Sequence, residues 1–184
     1  MNKQVRVWKV LLVLLVSMTS GAIVLMLLGN NAPAEGVFSL SSYYRLVPLS
    51  EVTATRVLQQ QGRWDCIDIH YSNTRAGNIK ILSEMNGLMD PQKLNCHFVL
   101  CNGQGGVDGQ IQTTERWQNQ QSCTISNSHG SLEKHIMICV VADGKNVTAT
   151  DSQVKRLEML VETLSRQFKI ARDRVHYPVN LFEN

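Results

Sequence analysis

The uncharged run at residues 10–28 divides this chain into a short basic N-terminus and a long remainder of mixed polarity. A helix of about 20 apolar residues is long enough to span a bilayer. Three basic residues precede the run, namely Lys3, Arg6 and Lys9. Because basic residues favour the cytoplasmic side, we predict a cytoplasmic N-terminus at residues 1–9 and a single-pass transmembrane anchor at residues 10–28. The C-terminal domain is then extracytoplasmic or periplasmic, held at the cell membrane.

A cleaved signal peptide is the alternative interpretation of the same run, with Ala-Pro-Ala at residues 32–34 as the small-residue cleavage site. The run is longer than a usual signal-peptide core, and Pro33 is unusual within such a site, so the sequence favours an uncleaved anchor. Both interpretations export the domain. Residues 29–62 have the composition of a linker or stalk, with a short polar helix predicted at residues 52–61.

Charge and cysteine usage exclude some classes of protein. The formal net charge is +3 at pH 7, and the three N-terminal basic residues account for all of it. The remainder has no basic block, which argues against nucleic acid as a partner. Five cysteines cannot all pair, and Cys66 and Cys139 lie inside apolar runs. This pattern favours small core residues over the alternative, a disulfide framework.

Residues 66–74 (CIDIHYSNT) have the clearest strand pattern of the chain. Ile67 and Ile69 alternate with polar residues, as in a strand with one buried face. The polar residues continue through His70, Ser72 and Thr74. A histidine at the end of a strand lies at the rim of a sheet, where ligands and metals are often held. This stretch is therefore the first candidate for a functional site.

Strands and helices alternate through residues 63–184. We predict further strands at residues 94–100, 110–112 and 136–141, and a helix within residues 77–87 on a face of Ile79, Ile81, Leu82 and Met85. Thr150 and Gln153 form a capping box that starts a long helix. Its apolar stripe is Val154, Leu157, Val161, Leu164 and Phe168 with Leu160 at the edge, and Lys155, Arg156, Glu162 and Arg166 are predicted to face water. These elements predict an α/β domain with a mixed central β-sheet flanked by helices, preceded by the transmembrane helix.

The order of these segments resembles the type-2 class of zinc-dependent N-acetylmuramoyl-L-alanine amidases, a fold shared with peptidoglycan recognition proteins. The resemblance covers roughly residues 64–179 and depends on short segments in matching order. They are Ile67-x-Ile69-His70-x-Ser72-x-Thr74, His97-Phe98-Val99 with Asp108-Gly109-x-Ile111, Ile136-x-Ile138-Cys139-Val140, the helix carrying Gln153, Leu157 and Leu164, and Ile170 to His176. The resemblance implies an amidase-like domain at residues 63–184.

The resemblance also implies a metal site. In the family, two histidines and a Cys or Asp hold Zn²⁺ and leave one position to a water, whose pKa the metal lowers. His70 matches the first ligand, with Ser72 and Thr74 as ligand-binding neighbours. His176 is the candidate for the second ligand, although a strict register would place that ligand at Pro178.

Two other family positions differ in this chain. No Cys-Pro-Gly or Asp-Pro-Gly motif follows His176, so the resemblance identifies no third ligand. Cys96 stands where some members have the catalytic Tyr, so the catalytic residue is unknown. A rearranged ligand set of His70, His176 and Cys96 or Glu183 is chemically reasonable for zinc. His97 is predicted to be a core histidine satisfied by the backbone, and His129 and His135 are minor ligand candidates.

Two functional hypotheses follow, and both have peptidoglycan or muropeptide fragments as the partner. The first is a membrane-tethered amidase-like module that binds these fragments with a degenerate zinc site. The second is an active zinc amidase that hydrolyses the muramoyl-L-alanine amide bond with a rearranged ligand set. An envelope domain that no longer binds peptidoglycan is a third interpretation. The absence of a third ligand motif favours the first hypothesis.

Overall fold

The computed structural model describes residues 8–9, 11–20, 46–60, 62–123 and 134–181. The chain divides into two units, residues 1–37 and 38–184. In the first unit, residues 8–9 and 11–20 are helical. Among the residues that the structure describes, no helix is long and apolar enough to cross a membrane. Residues 10 and 21–28 of the predicted anchor lie outside the described residues, so the anchor stays a prediction.

The second unit is built on a mixed β-sheet, as predicted. Its described strands are β1 (Cys66–Tyr71), β2 (Phe98–Leu100), β3 (Ile111–Thr113), β4 (His135–Val140) and β5 (Val175–His176). They lie in the order β3-β2-β4-β1-β5. The hairpin of β2 and β3 is antiparallel, and every other neighbouring pair is parallel. The described helices of this unit are α1 (Leu49–Val52), α2 (Ile79–Met85), α3 (Glu115–Gln118) and α4 (Asp151–Phe168).

Alternation along the strands gives the sheet two different faces. The face packed against α4, which we call the core face, carries Ile67 and Ile69 of β1 and Ile136, Ile138 and Val140 of β4. The face packed against α2, which we call the opposite face, carries the alternate residues. In β1 these are Cys66, Asp68 and His70, and His70 lies beside Cys139 of β4.

The long helix α4 begins as its sequence predicts. Thr150 Oγ1 accepts a hydrogen bond from the Gln153 amide (3.1 Å), and Gln153 Oε1 accepts one from the Thr150 amide (3.0 Å). The Gln153 side chain also donates to the carbonyls of Leu100 (2.9 Å) and Val141 (3.2 Å). The capping box therefore starts the helix and fastens it to the ends of β2 and β4.

Two details of α4 differ from the predicted stripe. Leu160, placed at the edge of the stripe, is completely buried. Arg156, predicted to face water, is only 3% exposed. Its guanidinium donates to the carbonyl of Val47 (2.8 Å), because residues 46–52 pack over this side of the helix. A solvated helix face in the sequence is thus partly covered by the segment that precedes the sheet.

The segment before the sheet packs on the domain with less helix than predicted. The helix predicted at residues 52–61 is wrong: α1 ends at Val52, residues 53–60 are not helical, and residue 61 lies outside the described part. The amide of Arg56 donates to the carbonyl of Gln118 (3.0 Å) instead of to a helical partner. This contact with α3 holds the segment in an extended path.

Candidate functional site

A cleft of about 700 Å³ lies at the C-terminal end of β1, on the opposite face of the sheet. Its walls come from the end of β1, from α2, from the turn Pro91–Lys93 and the residues after it, and from Cys139 of β4. In open α/β sheets, ligands bind outside the carboxyl ends of the strands. The cleft has this position.

His70 lies in this cleft with one ring nitrogen unmatched. Its Nδ1 is buried and has no hydrogen-bond partner among the described residues. Burial lowers the pKa of His70, and the Asp68 carboxylate partly opposes that shift. The imidazole is therefore neutral at neutral pH. A buried polar atom without a partner costs about 1–3 kcal/mol, so the structure carries a local cost in the wall of the cleft.

The polar lining of the cleft is cationic and amidic. Lys93 and Arg116 line it, and its described lining contains no carboxylate. Arg116 donates to the carbonyls of Leu94 (3.3 Å) and Ser122 (2.8 Å), which hold its guanidinium in place. Three asparagines also line the cleft, namely Asn73, Asn86 and Asn95. A ligand that carries carboxylates and amides would match this lining.

Of the other predicted site residues, Ser72 and Cys96 line the cleft and Thr74 does not. Ser72 lines the cleft, and its Oγ is 2.7 Å from Oγ1 of Thr74. The thiols of Cys96 and Cys139 are buried in its wall. Burial raises the pKa of Cys139 to about 12 and that of Cys96 well above its usual value. Both are therefore neutral thiols at neutral pH and poor nucleophiles.

The second predicted metal ligand, His176, lies nearer to the N-terminal end of β1 than His70 does. In the pairing of β5 with β1, His176 is opposite Asp68, two residues before His70. Its Nδ1 lies 2.7 Å from Oδ1 of Asp68. His176 is not among the residues that line the cleft. One zinc ion shared by His70 and His176 stays a prediction.

Three potential metal donors do converge at the start of β1. The Sγ of Cys66, a carboxylate oxygen of Asp68 and a ring nitrogen of His135 lie within 4.8 Å of one another. The Nδ1 of His135 is 2.5 Å from Asp68 Oδ2, and the Nδ1 of His176 is 3.7 Å from Cys66 Sγ. We call Cys66, Asp68, His135 and His176 the strand-start cluster. The donor set fits zinc, whereas the described residues around His70 supply no such group of three.

Register explains why the sequence did not reveal this cluster. Cys66 and Asp68 are two residues apart, which places them on one face of β1. His135 lies opposite Cys66, and His176 lies opposite Asp68. The spacing in β1 is visible in the sequence, but neither partner is, because pairing between distant strands is set by the fold. The sequence pattern therefore gave His135 a minor role and Asp68 none.

The remaining histidines are placed more simply. His97 is a core histidine satisfied by the backbone, as predicted: its Nδ1 accepts from the Met137 amide (2.8 Å), and its Nε2 donates to the carbonyl of Gln121 (2.9 Å). Burial lowers its pKa to about 4. His129 and Glu183 lie outside the described residues. All five cysteines are described, buried and unpaired, which confirms the core interpretation.

Comparisons with known proteins find similarity only among solved structures. No protein-family model and no curated protein matches the chain. The N-acetylmuramyl-L-alanine amidase AmiD from E. coli, in complex with a substrate, is 14% identical, with a TM-score of 0.47 over 67% of this chain and 51% of AmiD. This chain thus spans about half the length of AmiD.

Two further solved structures are similar at the same identity. A selenomethionine derivative of AmpD is 14% identical, with a TM-score of 0.42 over 67% of this chain and 80% of AmpD. The PGRP-Hd structure from Alvinella pompejana is 14% identical, with a TM-score of 0.41 over 74% of this chain and 87% of that one. At these values the similarity assigns no residue role in this chain.

Proposed function

We propose that residues 63–184 bind peptidoglycan fragments in the cleft at the end of β1 without hydrolysing them. The observation that carries this proposal is the lining of the cleft: it contains His70 and the cations Lys93 and Arg116, and no carboxylate in its described part. Stem peptides of muropeptides present carboxylates and amides to such a surface. The resemblance of the sequence to peptidoglycan amidases points to the same ligand class.

Binding is favoured over cleavage by the chemistry of the lining. Amide hydrolysis needs an activated water or nucleophile and a proton carrier. In the described lining His70 is a neutral imidazole able to carry a proton, but the lining has no carboxylate and its two thiols are neutral, so it presents no activated nucleophile. No three metal donors converge on His70 in the described part of the chain. The alternative, a zinc amidase with a rearranged ligand set, therefore needs ligands other than the described residues around His70.

A binding experiment with charge reversal tests the proposal. We expect the full-length protein, purified in mild detergent, to bind a fluorescent muropeptide, and Lys93→Glu to weaken that affinity several-fold. Lys145→Glu is the matched control, because Lys145 is also exposed and does not line the cleft. Equal affinities in all three proteins would contradict binding in this cleft. Release of free stem peptide, detected by mass spectrometry and stopped by a chelator, would instead support the amidase.

We also propose that the protein is anchored in the cell membrane by residues 10–28, with the domain outside the cytoplasm. The uncharged run and the three basic residues before it support this placement. Protease added to spheroplasts should degrade the domain and leave a short membrane-bound fragment. Full protection of the domain would contradict the topology. A mature N-terminus near residue 35 would show that the run is a cleaved signal peptide.

A further inference from the structure

The strand-start cluster lies on the opposite face of the sheet but outside the cleft. None of its four residues is among those that line the cleft. Its side chains come from three adjacent strands: His135 from β4, Cys66 and Asp68 from β1, and His176 from β5. The carboxylate of Asp68 contacts Nδ1 of both histidines, His135 at Oδ2 and His176 at Oδ1. One carboxylate thus joins donor groups from both neighbouring strands.

Nucleophilic catalysis does not account for this arrangement. Cys66 is 1% exposed, and burial, with the Asp68 and Asp65 carboxylates, raises the pKa of its thiol to about 11. The same nitrogen of His176, Nδ1, faces both Asp68 Oδ1 and Cys66 Sγ. A Cys–His–Asp triad needs the two ring nitrogens on different partners. The cluster is therefore either a hydrogen-bonded network or a set of ligands.

The identities of the four donors fit a tetrahedral zinc site, and three of them, Cys66, Asp68 and His135, already converge within 4.8 Å. His176 contacts Asp68 and Cys66 but lies outside this group of three. Thiolate, imidazole and carboxylate are the ligands that Zn²⁺ binds in proteins, at about 2.0–2.3 Å. Tetrahedral geometry at those bond lengths separates neighbouring ligand atoms by about 3.3–3.8 Å. The Cys66–His176 separation of 3.7 Å already has that value. The shorter contacts to Asp68, 2.5 and 2.7 Å, are hydrogen bonds that would lengthen by roughly 1 Å around an ion.

We propose that Cys66, Asp68 and His135 bind one Zn²⁺, that the side chain of His176 moves in as the fourth ligand, and that this ion fastens β5 to the sheet. Four protein ligands make a closed, structural site, in contrast to the open position of a catalytic one. β5 is only two residues long and pairs with β1 alone in the described sheet, and the His176 side chain is 60% exposed. A metal bond would hold this short edge strand where few hydrogen bonds do.

This site differs from the one that the family resemblance implies. The two share only His176, and His70 is replaced by Asp68 two residues earlier on the same face of β1. On binding, the Cys66 thiol loses its proton to solvent. Each histidine then carries its remaining proton on Nε2, so that Nδ1 can coordinate the ion. The inference does not depend on the proposed muropeptide binding.

Melting curves of the full-length protein in mild detergent, with a non-thiol reductant, provide the first test. An ion that binds only the folded state stabilises that state by mass action. We expect zinc to raise the melting temperature by several degrees and a chelator to reverse the rise. Asp68→Asn should abolish the rise while keeping the shape of the side chain. Asp151→Asn is the matched control, because Asp151 is exposed at the start of α4 and outside the cluster, and it should respond to zinc as the wild type does.

The absorption spectrum of the Co²⁺-bound protein identifies the ligands directly and does not depend on a change in melting temperature. We expect Co²⁺ to give the strong visible bands of a tetrahedral site and a thiolate charge-transfer band in the near ultraviolet. Cys66→Ser should remove the charge-transfer band. His176→Ala should weaken the visible bands as water enters the fourth position. Circular dichroism of each variant establishes that it is folded before its spectrum is compared.

Three results would overturn the proposal. An equal zinc shift in wild type and Asp68→Asn would mean that the metal binds elsewhere. A shift that is lost in His70→Ala and kept in Asp68→Asn would assign the metal to the cleft. No shift and no cobalt bands in the folded wild type would show that the cluster is a hydrogen-bonded network only.

Discussion

The two faces of the β-sheet use the same strands for different purposes. On the core face, Ile67, Ile69, Ile136, Ile138 and Val140 pack against α4 with at most 5% exposure. On the opposite face, β1 carries Cys66, Asp68 and His70 in the alternate positions. In these two strands the core face carries apolar side chains and Tyr71. The opposite face places ionisable groups beside one another, and part of it is covered by α2.

Within a single strand, the core-face residues therefore stabilise the fold, whereas the opposite-face residues supply chemically reactive groups. Burial of apolar side chains on the core face stabilises the fold, at roughly 25 cal/mol per Å². Polar groups on the opposite face are costly to bury unless they have partners. His70 Nδ1 lacks such a partner in the described structure, whereas Asp68 has two. Such exceptions are expected at functional sites, where local rules are broken for a ligand.

The largest effect should come from breaking the core face. Leu164 is completely buried on α4 within the main core cluster. Leu164→Ala removes apolar contacts and leaves a cavity, so we expect the free energy of unfolding to fall by about 2–5 kcal/mol. Chemical denaturation measures this loss. A loss below about 0.5 kcal/mol, the usual range for surface substitutions, would contradict the assignment of this face as the core.

Buried histidines give the next largest effect, through pH. His97 has a pKa of about 4 in the folded protein, below its ordinary 6.5, because it is buried. Above pH 6.5 it is neutral in both states and its contribution is fully present. As the pH falls from 6.5 toward 4, the unfolded state takes up a proton that the folded state does not. The free energy of unfolding should therefore fall by about 3 kcal/mol over this range.

The contribution of His97 can be separated from that of the carboxylates by comparing slopes. His97→Gln should flatten the dependence of the free energy of unfolding on pH between 6.5 and 4. His70→Gln serves as the comparison, because the pKa of His70 is also lowered by burial, but with the Asp68 carboxylate opposing the shift. An unchanged slope in His97→Gln would mean that His97 takes up its proton over the same pH range in the folded and unfolded protein, so that folding does not lower its pKa.

Gln153 joins α4 to the ends of two strands, and replacing it should lower the free energy of unfolding by an intermediate amount. Its side chain donates to the carbonyls of Leu100 and Val141 at the ends of β2 and β4. Gln153→Ala leaves these carbonyls without that donor, so we expect a loss of about 1–3 kcal/mol. Glu158→Ala, an exposed position on the same helix, is the control for helix propensity. Equal losses in both variants would show that the buried hydrogen bonds add nothing.

The sequence predicted the parts of the fold that depend on local pattern. Alternation in Ile67 and Ile69 identified β1, and the capping box of Thr150 and Gln153 identified the start of α4. These signals arise from neighbours along the chain and survive in any tertiary setting. The mixed sheet followed from the order of the elements. The helix predicted at residues 52–61 failed because contacts with α3 overrode the local preference.

The candidate sites depend on register, which the sequence does not contain. Cys66 and Asp68 share a face by their spacing, but His135 and His176 reach them through strand pairings that span large distances in sequence. A slip of one residue would turn each of these side chains to the other face. The family resemblance directed attention to His70 and His176 together, whereas the pairing places His176 beside Asp68. The burial of Arg156 also depends on a part of the chain distant in sequence, because residues 46–52 cover it.

The smallest effect should come from α2, where the sequence overstated burial. Met85 was predicted to lie on the apolar face of this helix with Ile79 and Leu82, but its side chain is 63% exposed. The helix is short and ends at Met85, and of these three residues only Ile79 and Leu82 belong to the buried cluster on this side of the sheet. Met85→Ala should therefore change the free energy of unfolding by less than about 0.5 kcal/mol, whereas Leu82→Ala should cost about 2–5 kcal/mol. Denaturation of the two variants side by side measures this contrast, and a comparable loss in Met85→Ala would extend the packed part of the opposite face to the end of α2.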